Sequence, residues 1–483
     1  NRTELNTDQK IAKLLVSAYA DVSPNELFEL YSDNSDDSGP TYGYYKLSEQ
    51  ECYHWQDTKE EYQDTPNSLW GGYYSAIAAA NMALNAIEEK GNPASLDPQR
   101  GEALVCRAYC HFMLANIFCN AYDTHASQSL GVPYMEEVET TVSPRYERGT
   151  LEEVYRKVER DLLEGIDLIS DDSYSVPKYH FTRKAAYAFA ARFYLYYMKP
   201  DFSNCDRVID FATRVLGTNP ADLLRNWEAL GNLSVNGNVQ ADAYIASSNE
   251  ANLLISSTVS NWGAIGSDYL IGPRYFHNQT LATSETCLSS GLWGSSDYFY
   301  LKPFSTNGFV ASILRKSGLY EGTYLYYMPV LFSTDETLLC RAEAYALKKM
   351  YAQSAADITS WQRAYTRNKS VLTPEQINTY YDRMSFYTPF TQQTPKKKLA
   401  PDFMIEEGMQ ENFIHCILHI RRITTLHEGM RWPDIKRYGI LIYRRDMANQ
   451  RVTDEMPPND LRYAIQIPRS VIVAGIQPNP RRN

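Results

Sequence analysis

The chain has 483 residues, of which 44% are hydrophobic and 22% charged, with a formal net charge of −11. That length can bury a large core, as one large domain or as two or three ordinary ones. The acidic balance argues against a nucleic-acid partner, because phosphate backbones call for a basic surface, and no apolar run approaches the roughly 18 residues of a membrane span.

Helical text opens the chain: Ile11, Leu14, Leu15 and Ala18 give residues 7 to 20 an amphipathic face. From Tyr31 to Asp64 the periodicity stops. This stretch carries Tyr42, Tyr44, Tyr45, Tyr53 and Trp55 among Ser, Asp and Gly. Loops of this length are functional or disordered, and disordered segments are poor in aromatics, so a functional loop is expected. Thr65-Pro66 then caps a helix with proline at its first position, and Trp70, Tyr73, Ile77, Ala80, Leu84 and Ile87 form its buried face. A second helix runs from Glu102 to about Cys119. Thr150-x-x-Glu153 is a capping box opening a third, and a fourth spans Arg183 to Met198, where Ala185, Ala186, Ala190 and Ala191 permit close helix approach. Consecutive helix pairs with small contact residues read as degenerate tetratricopeptide-like repeats.

Residues 225–332 lose the helical period and are rich in Gly, Ser, Asn and aromatics. Ser333-x-x-Glu336 and Thr373-Pro374-Glu375-Gln376 return the chain to helix, and the last forty residues turn irregular again. The expected organisation is a single domain over 1–483. It comprises a helical-repeat part (1–224), an irregular ligand-binding part (225–332), a helical part returning to the scaffold (333–439) and an irregular tail (440–483). Near the end of the third part, Gly429 is placed to stop a helix carrying Phe413, Ile417 and Ile420. Beyond it, Arg431, Asp434 and Arg437 share one face, while Trp432, Ile435 and Tyr438 share a face that can be buried. This stretch reads as a structural clamp.

Five blocks in this order resemble the SusD/RagB family of outer-membrane nutrient-binding lipoproteins. They are Trp70-x-x-Tyr73-x-x-x-Ile77-x-x-Ala80-Asn81-x-x-Leu84; Glu102-Ala103-x-x-x-Arg107-Ala108-Tyr109-x-x-Phe112 with Gly131-Val132-Pro133 downstream; Glu152-Glu153-Val154-Tyr155 leading to Asp161-Leu162, then Lys184-Ala185-Ala186-Tyr187-Ala188; Leu339-Cys340-Arg341-Ala342-Glu343-Ala344-Tyr345; and Glu428 to Gly439. The resemblance implies a mostly α, SusD-like fold in which tetratricopeptide-like helix pairs support a loop-rich half. It also implies a cell-surface protein of the outer membrane, held by an N-terminal lipid anchor outside these residues. Its role would be to capture an oligosaccharide or polysaccharide, in some members a peptide, and pass it to a SusC-like TonB-dependent transporter. The chain opens on Asn1, so removal of an upstream signal peptide is expected.

The matched blocks are scaffold, so the site is sought in the unmatched loops. A sugar offers an apolar C–H face, which stacks on Trp or Tyr, and a hydroxyl rim, which Asp, Asn or Arg can satisfy. The sequence has 38 Tyr against 17 Phe, the balance of a surface that binds something partly polar. Tyr44, Tyr45, Trp55, Trp262, Trp293 and Tyr298 are the expected stacking platforms, with Asn34, Asp36, Asp37 and Arg274 as polar contacts; for each the bland alternative is a plug in a small loop core. Lys396-Lys397-Lys398 is expected at a solvated loop tip.

No cofactor, metal or catalytic group is expected. Gly-x-Ser-x-Gly, P-loop and dinucleotide signatures are absent. None of the eight cysteines forms Cys-x-x-Cys, and those at 106, 110 and 119 sit in apolar helical text as small buried hydrophobes. His415-x-x-x-His419 reads as helix packing rather than zinc binding. A helical-repeat interaction scaffold without a small ligand remains the competing reading.

Overall fold

A computed structural model describes residues 7–41, 45–141, 145–234, 239–262, 274–301, 318–321 and 324–481. The fold is mostly α. Helices Pro66–Glu89, Asp97–Phe118 and Leu151–Leu168 pack side by side in sequence order. Arg183–Tyr196 then pairs with Ser203–Leu216, and Thr334–Leu347 packs on that pair and on Tyr351–Tyr365 and Met409–Thr424. Two capping boxes read from sequence form: Thr150 accepts from the Glu153 N–H while Glu153 accepts from the Thr150 N–H, and Thr373 and Gln376 do the same. Ser333 accepts from the Glu336 N–H, but the Glu336 carboxylate takes Arg192 instead of closing the box, and the Thr65 hydroxyl donates to the Tyr62 carbonyl rather than capping. Close approach of neighbouring helices is extreme at Gly101 and Gly165. A Cβ on either would stand 2.8 Å from the other's carbonyl oxygen, so only glycine fits both positions.

The five blocks meet inside the molecule in two groups. Arg107 donates to Asp161 at 2.6 Å and to the Asn81 side chain at 3.0 Å, tying three helices together. Glu343 forms an ion pair with Arg421 at 2.6 Å and accepts from Arg437 and the Tyr438 hydroxyl at 2.5 Å each. Burial would raise the Glu343 carboxyl, but Arg437 and Arg421 outweigh it and hold it below its usual value. Trp432, Ile435 and Tyr438 are fully buried, as the spacing predicts. Gly429 has a φ of +75° and donates its N–H to Glu29, 400 residues earlier. The charged face of the clamp differs from expectation in one respect. Arg437 pairs with Asp434 at 2.8 Å, but Arg431 reaches away to fork on Asp33 at 2.8 and 3.0 Å.

Several stretches expected to be irregular contain short elements. The 31–64 stretch folds into a two-residue strand at Asp36–Asp37 and a helix, Leu47–Tyr53. Within 225–332 lie helices Trp227–Gly231 and Val239–Ile245. Strand Asn252–Ile255 pairs antiparallel with Val330–Ser333, and Thr258–Val259 pairs with Tyr324–Tyr327, which pairs with Gly318–Glu321. The tail holds a hairpin, Ile442–Asp446 with Arg451–Met456. These elements are too short for their periodicity to show.

The lysine run is not a solvated tip. Lys396 and Lys397 are buried and only Lys398 is exposed. Lys397 pairs with Asp33 at 2.6 Å and Glu285 at 2.8 Å, while Lys396 donates to the Tyr381 carbonyl at 2.7 Å. A buried ammonium needs such partners, and both carboxylates come from distant segments that local sequence cannot reveal. All eight cysteines are buried thiols. His419 is buried with one ring nitrogen on the Tyr381 hydroxyl at 3.0 Å and the other on the Thr286 carbonyl at 3.0 Å, the packing role its helix position suggested. Among the described residues, no helix is long and apolar enough to cross a membrane.

Candidate functional site

Strand Asp36–Asp37 pairs antiparallel with Tyr275–Phe276, and this short ladder brings the two aromatic-rich regions together. It places Asp37 beside Arg274. The guanidinium forks on the carboxylate through Nε at 2.7 Å and Nη2 at 2.8 Å, a planar two-bond pair that fixes its orientation. That pair is only partly buried. The Arg274 guanidinium lies 5.0 Å from the Tyr45 ring centroid and 5.1 Å from that of Tyr275. The two tyrosine rings meet edge to face, with centroids 5.8 Å apart.

Behind them, Tyr53 stacks on Tyr275 at 4.6 Å, and its hydroxyl accepts from the Asp37 N–H at 3.1 Å. Burial, then the neighbouring Asp36, raises the Tyr53 phenol, which stays protonated. The His54 ring packs edge-on against Tyr53. Desolvation, then the Arg444 charge, lowers its pKa, favouring a neutral imidazole near neutrality. Tyr45 is 38% exposed, so its ring is accessible to a ligand. Beneath it the Tyr275 hydroxyl is buried without a hydrogen-bond partner among the described residues. An exposed ring beside an oriented guanidinium is what a polar ligand with an apolar face requires. Tyr53, His54 and Tyr275 did not stand out in the sequence as site residues. Their signal was the aromatic density of both loops, which cannot say which rings converge.

The other expected residues fare differently. The three indoles are interior, which corrects the expectation that they offer stacking faces. Trp55 is 4% exposed, donates Nε1–H to the Tyr31 carbonyl at 2.8 Å, and has Arg444 4.1 Å and Arg462 5.1 Å from its ring centroid. Trp262 is 5% exposed and donates to the His427 carbonyl at 2.8 Å. Trp293 is 1% exposed and packs among Phe299, Trp361 and His419. A ring with both faces covered by protein has none left for a sugar.

Asn34 and Asp36 are likewise structural. Asn34 bridges Glu29 and Arg422, and Asp36 accepts from Arg445 at 2.6 Å. Desolvation raises the Asp36 carboxyl against the pull of Arg445. Tyr298 is 43% exposed but belongs to another turn, its carbonyl accepting the Arg367 N–H at 2.7 Å. Tyr44 lies outside the described residues. The structure therefore gathers Tyr45, Asp37 and Arg274 out of the ten.

With that geometry in view, comparisons with known proteins supply the context. Residues 1–195 match a family described as SusD-like, "starch-binding associating with outer membrane". Solved structures share the fold along the whole chain. One is described as a putative sugar binding protein from Bacteroides vulgatus ATCC 8482, with a TM-score of 0.67, 20% identity and 99% of each chain covered. A SusD superfamily protein from the same organism gives 0.64 and 19%, covering 99% of this chain and 98% of its own. A SusD-like carbohydrate binding protein, also from that organism, gives 0.65 and 14% over 96% of both chains. Likeness at such identities speaks for the fold. No curated protein matches the sequence.

Proposed function

We propose that the chain is a SusD-like protein, on its match over residues 1–195 and its fold, and that it binds a glycan at the cell surface. Its role is to capture an oligosaccharide or polysaccharide and deliver it to a SusC-like TonB-dependent transporter. An N-terminal lipid anchor outside these residues would hold it to the outer membrane. The role is binding rather than catalysis.

The observation that carries this reading is the Tyr45–Arg274 surface held by Asp37. Tyr45 supplies a partly exposed ring, and Arg274 beside it supplies a guanidinium locked in direction by Asp37. Stacking on an aromatic ring is worth about 0.5–1.5 kcal/mol beyond the area buried, and a hydrogen bond to a charged group about 1.5–3 kcal/mol. Loss of either group is thus expected to weaken binding roughly tenfold.

The test is affinity electrophoresis of the native chain, Tyr45→Ala and Arg274→Ala through gels containing plant, host or fungal polysaccharides, with a peptide mixture in parallel. One glycan class should retard the native chain and retard both variants much less. Equal retardation of all three proteins would remove this surface from the site. Capture of peptide with indifference to every glycan would reassign the ligand.

A further inference from the structure

A second cleft, of about 470 Å³, opens where the turn after the first helix meets helix Pro66–Glu89 and residues 255–257. This size falls within the range of small-molecule sites. Its wall carries Tyr19, Tyr179 and His180, with the hydroxyls of Ser17, Ser75 and Ser257 around them. Behind the wall sits Glu102, only 4% exposed. One of its oxygens accepts the Tyr19 hydroxyl at 2.7 Å and the His180 Nδ1–H at 2.7 Å. Tyr19 in turn accepts the Phe181 N–H at 2.7 Å, and Tyr174 stacks on the imidazole at 4.5 Å.

The chemistry follows from Glu102. A carboxylate can only accept, so the imidazole donates to it through Nδ1. With Nδ1 bound to Glu102, the ring still lines the cleft and is partly exposed. Packing between Tyr174 and the carboxylate fixes the orientation of the ring in advance, so a ligand meets it without an ordering cost. Among the described residues no Lys or Arg lines the cleft, and Asp21 is the one carboxyl side chain in its wall, which disfavours an anion. The tyrosine rings offer flat apolar surface, and the serines offer both donors and acceptors.

We propose that this cleft is an independent binding site for a neutral, hydroxyl-rich ligand of monosaccharide size, with Tyr19, His180 and the surrounding serines as its contacts. It does not depend on the Tyr45–Arg274 surface, and the two stand or fall separately.

The test is NMR of the chain with ¹⁵N-labelled histidine, titrated with D-glucose, D-galactose and D-mannose, and with gluconate as the anionic comparator. Disappearance of a signal in His180→Gln assigns the resonance. A neutral hexose should shift the His180 signal saturably in the millimolar range, gluconate should not, and Tyr45→Ala should leave the titration unchanged. Ser75 is exposed on its helix, so Ser75→Trp fills the cleft without disturbing the core, and it should abolish the saturable shift. The proposal is overturned if no hexose gives saturation, if the shift survives in Ser75→Trp, or if gluconate binds better than the hexoses.

Discussion

Asp33 is the side chain on which the two ends of the chain depend most. It is 6% exposed and accepts two bonds from Arg431 and one from Lys397 at 2.6 Å, partners 398 and 364 residues away. Its backbone carbonyl takes a third cation, Arg422, at 2.6 Å. Burial alone would raise its carboxyl, but Arg422, Arg431 and Lys397 prevail and hold it well below the usual carboxylate range. Asp33→Asn keeps the shape and removes the charge. Lys397 retains Glu285, but both oxygens of the Arg431 fork are replaced by one neutral acceptor and an amide that faces cations. Breaking one partner of a buried pair costs about 3–5 kcal/mol. The unfolding entropy of a 483-residue chain is about 1 kcal/mol per kelvin, so Tm should fall by about 3–5 °C in scanning calorimetry. Glu406→Gln, which breaks the exposed pair with Lys349, serves as the control and should leave Tm where it was. An Asp33→Asn shift indistinguishable from that control would refute the assignment of Asp33 as the charge that closes the clamp.

Three other outcomes follow from particular residues. Trp55→Ala should lower stability by about 3–5 kcal/mol in urea titration, the cost of emptying an aromatic core site, whereas Tyr45→Ala should stay within about 0.5 kcal/mol of the native chain; similar values for the two would contradict the burial contrast between them. His111 and His419 are buried and lowered to about 3, and His277 to about 4, desolvation being the main cause each time. These folded values lie below the unfolded one, so the stability they support is present above pH ~6.5 and is lost as pH falls towards 4, by about 1.4 kcal/mol per pH unit for each histidine. Glu29 opposes this, because burial raises it to about 7, so its protonated form favours the fold below pH ~4.5 and that contribution fades as pH rises to 7. The histidine effect is read by difference: the urea midpoint of the native chain should fall further between pH 7.5 and pH 5 than that of His419→Gln, and equal changes in the two would reverse the argument. Finally, a thiol reagent should find no cysteine in the native chain and eight in guanidinium, and rapid native labelling of any of them would contradict their burial.

What the sequence conveyed well was whatever repeats locally or sits next to its own cap. Helix Leu151–Leu168 announces itself by Thr150 and Glu153, and the clamp by the three-residue spacing of Trp432, Ile435 and Tyr438. Arg107, Asp161 and Asn81 stand in recognisable blocks, and their mutual bonds explain why those residue types occur there. The candidate site was legible only as two aromatic loops. Which rings would be open depended on arginines far along the chain: Arg444 and Arg462 cover Trp55, while Arg274 leaves Tyr45 half open. The same long-range pairing buried Lys397, since nothing near it in sequence shows that Asp33 and Glu285 would surround it. A tryptophan in irregular text is a large apolar surface first, and here the interior claimed the three that were expected to meet ligand.

The central claim is that a glycan lies on the Tyr45–Arg274 surface. Its most direct test is a crystal structure of the chain with an oligosaccharide from whichever polysaccharide retards it in the gel. A sugar ring stacked on Tyr45, with a hydroxyl within hydrogen-bond distance of Arg274, is the predicted result. An ordered oligosaccharide seated elsewhere, with the Tyr45 ring still exposed to solvent, would contradict it.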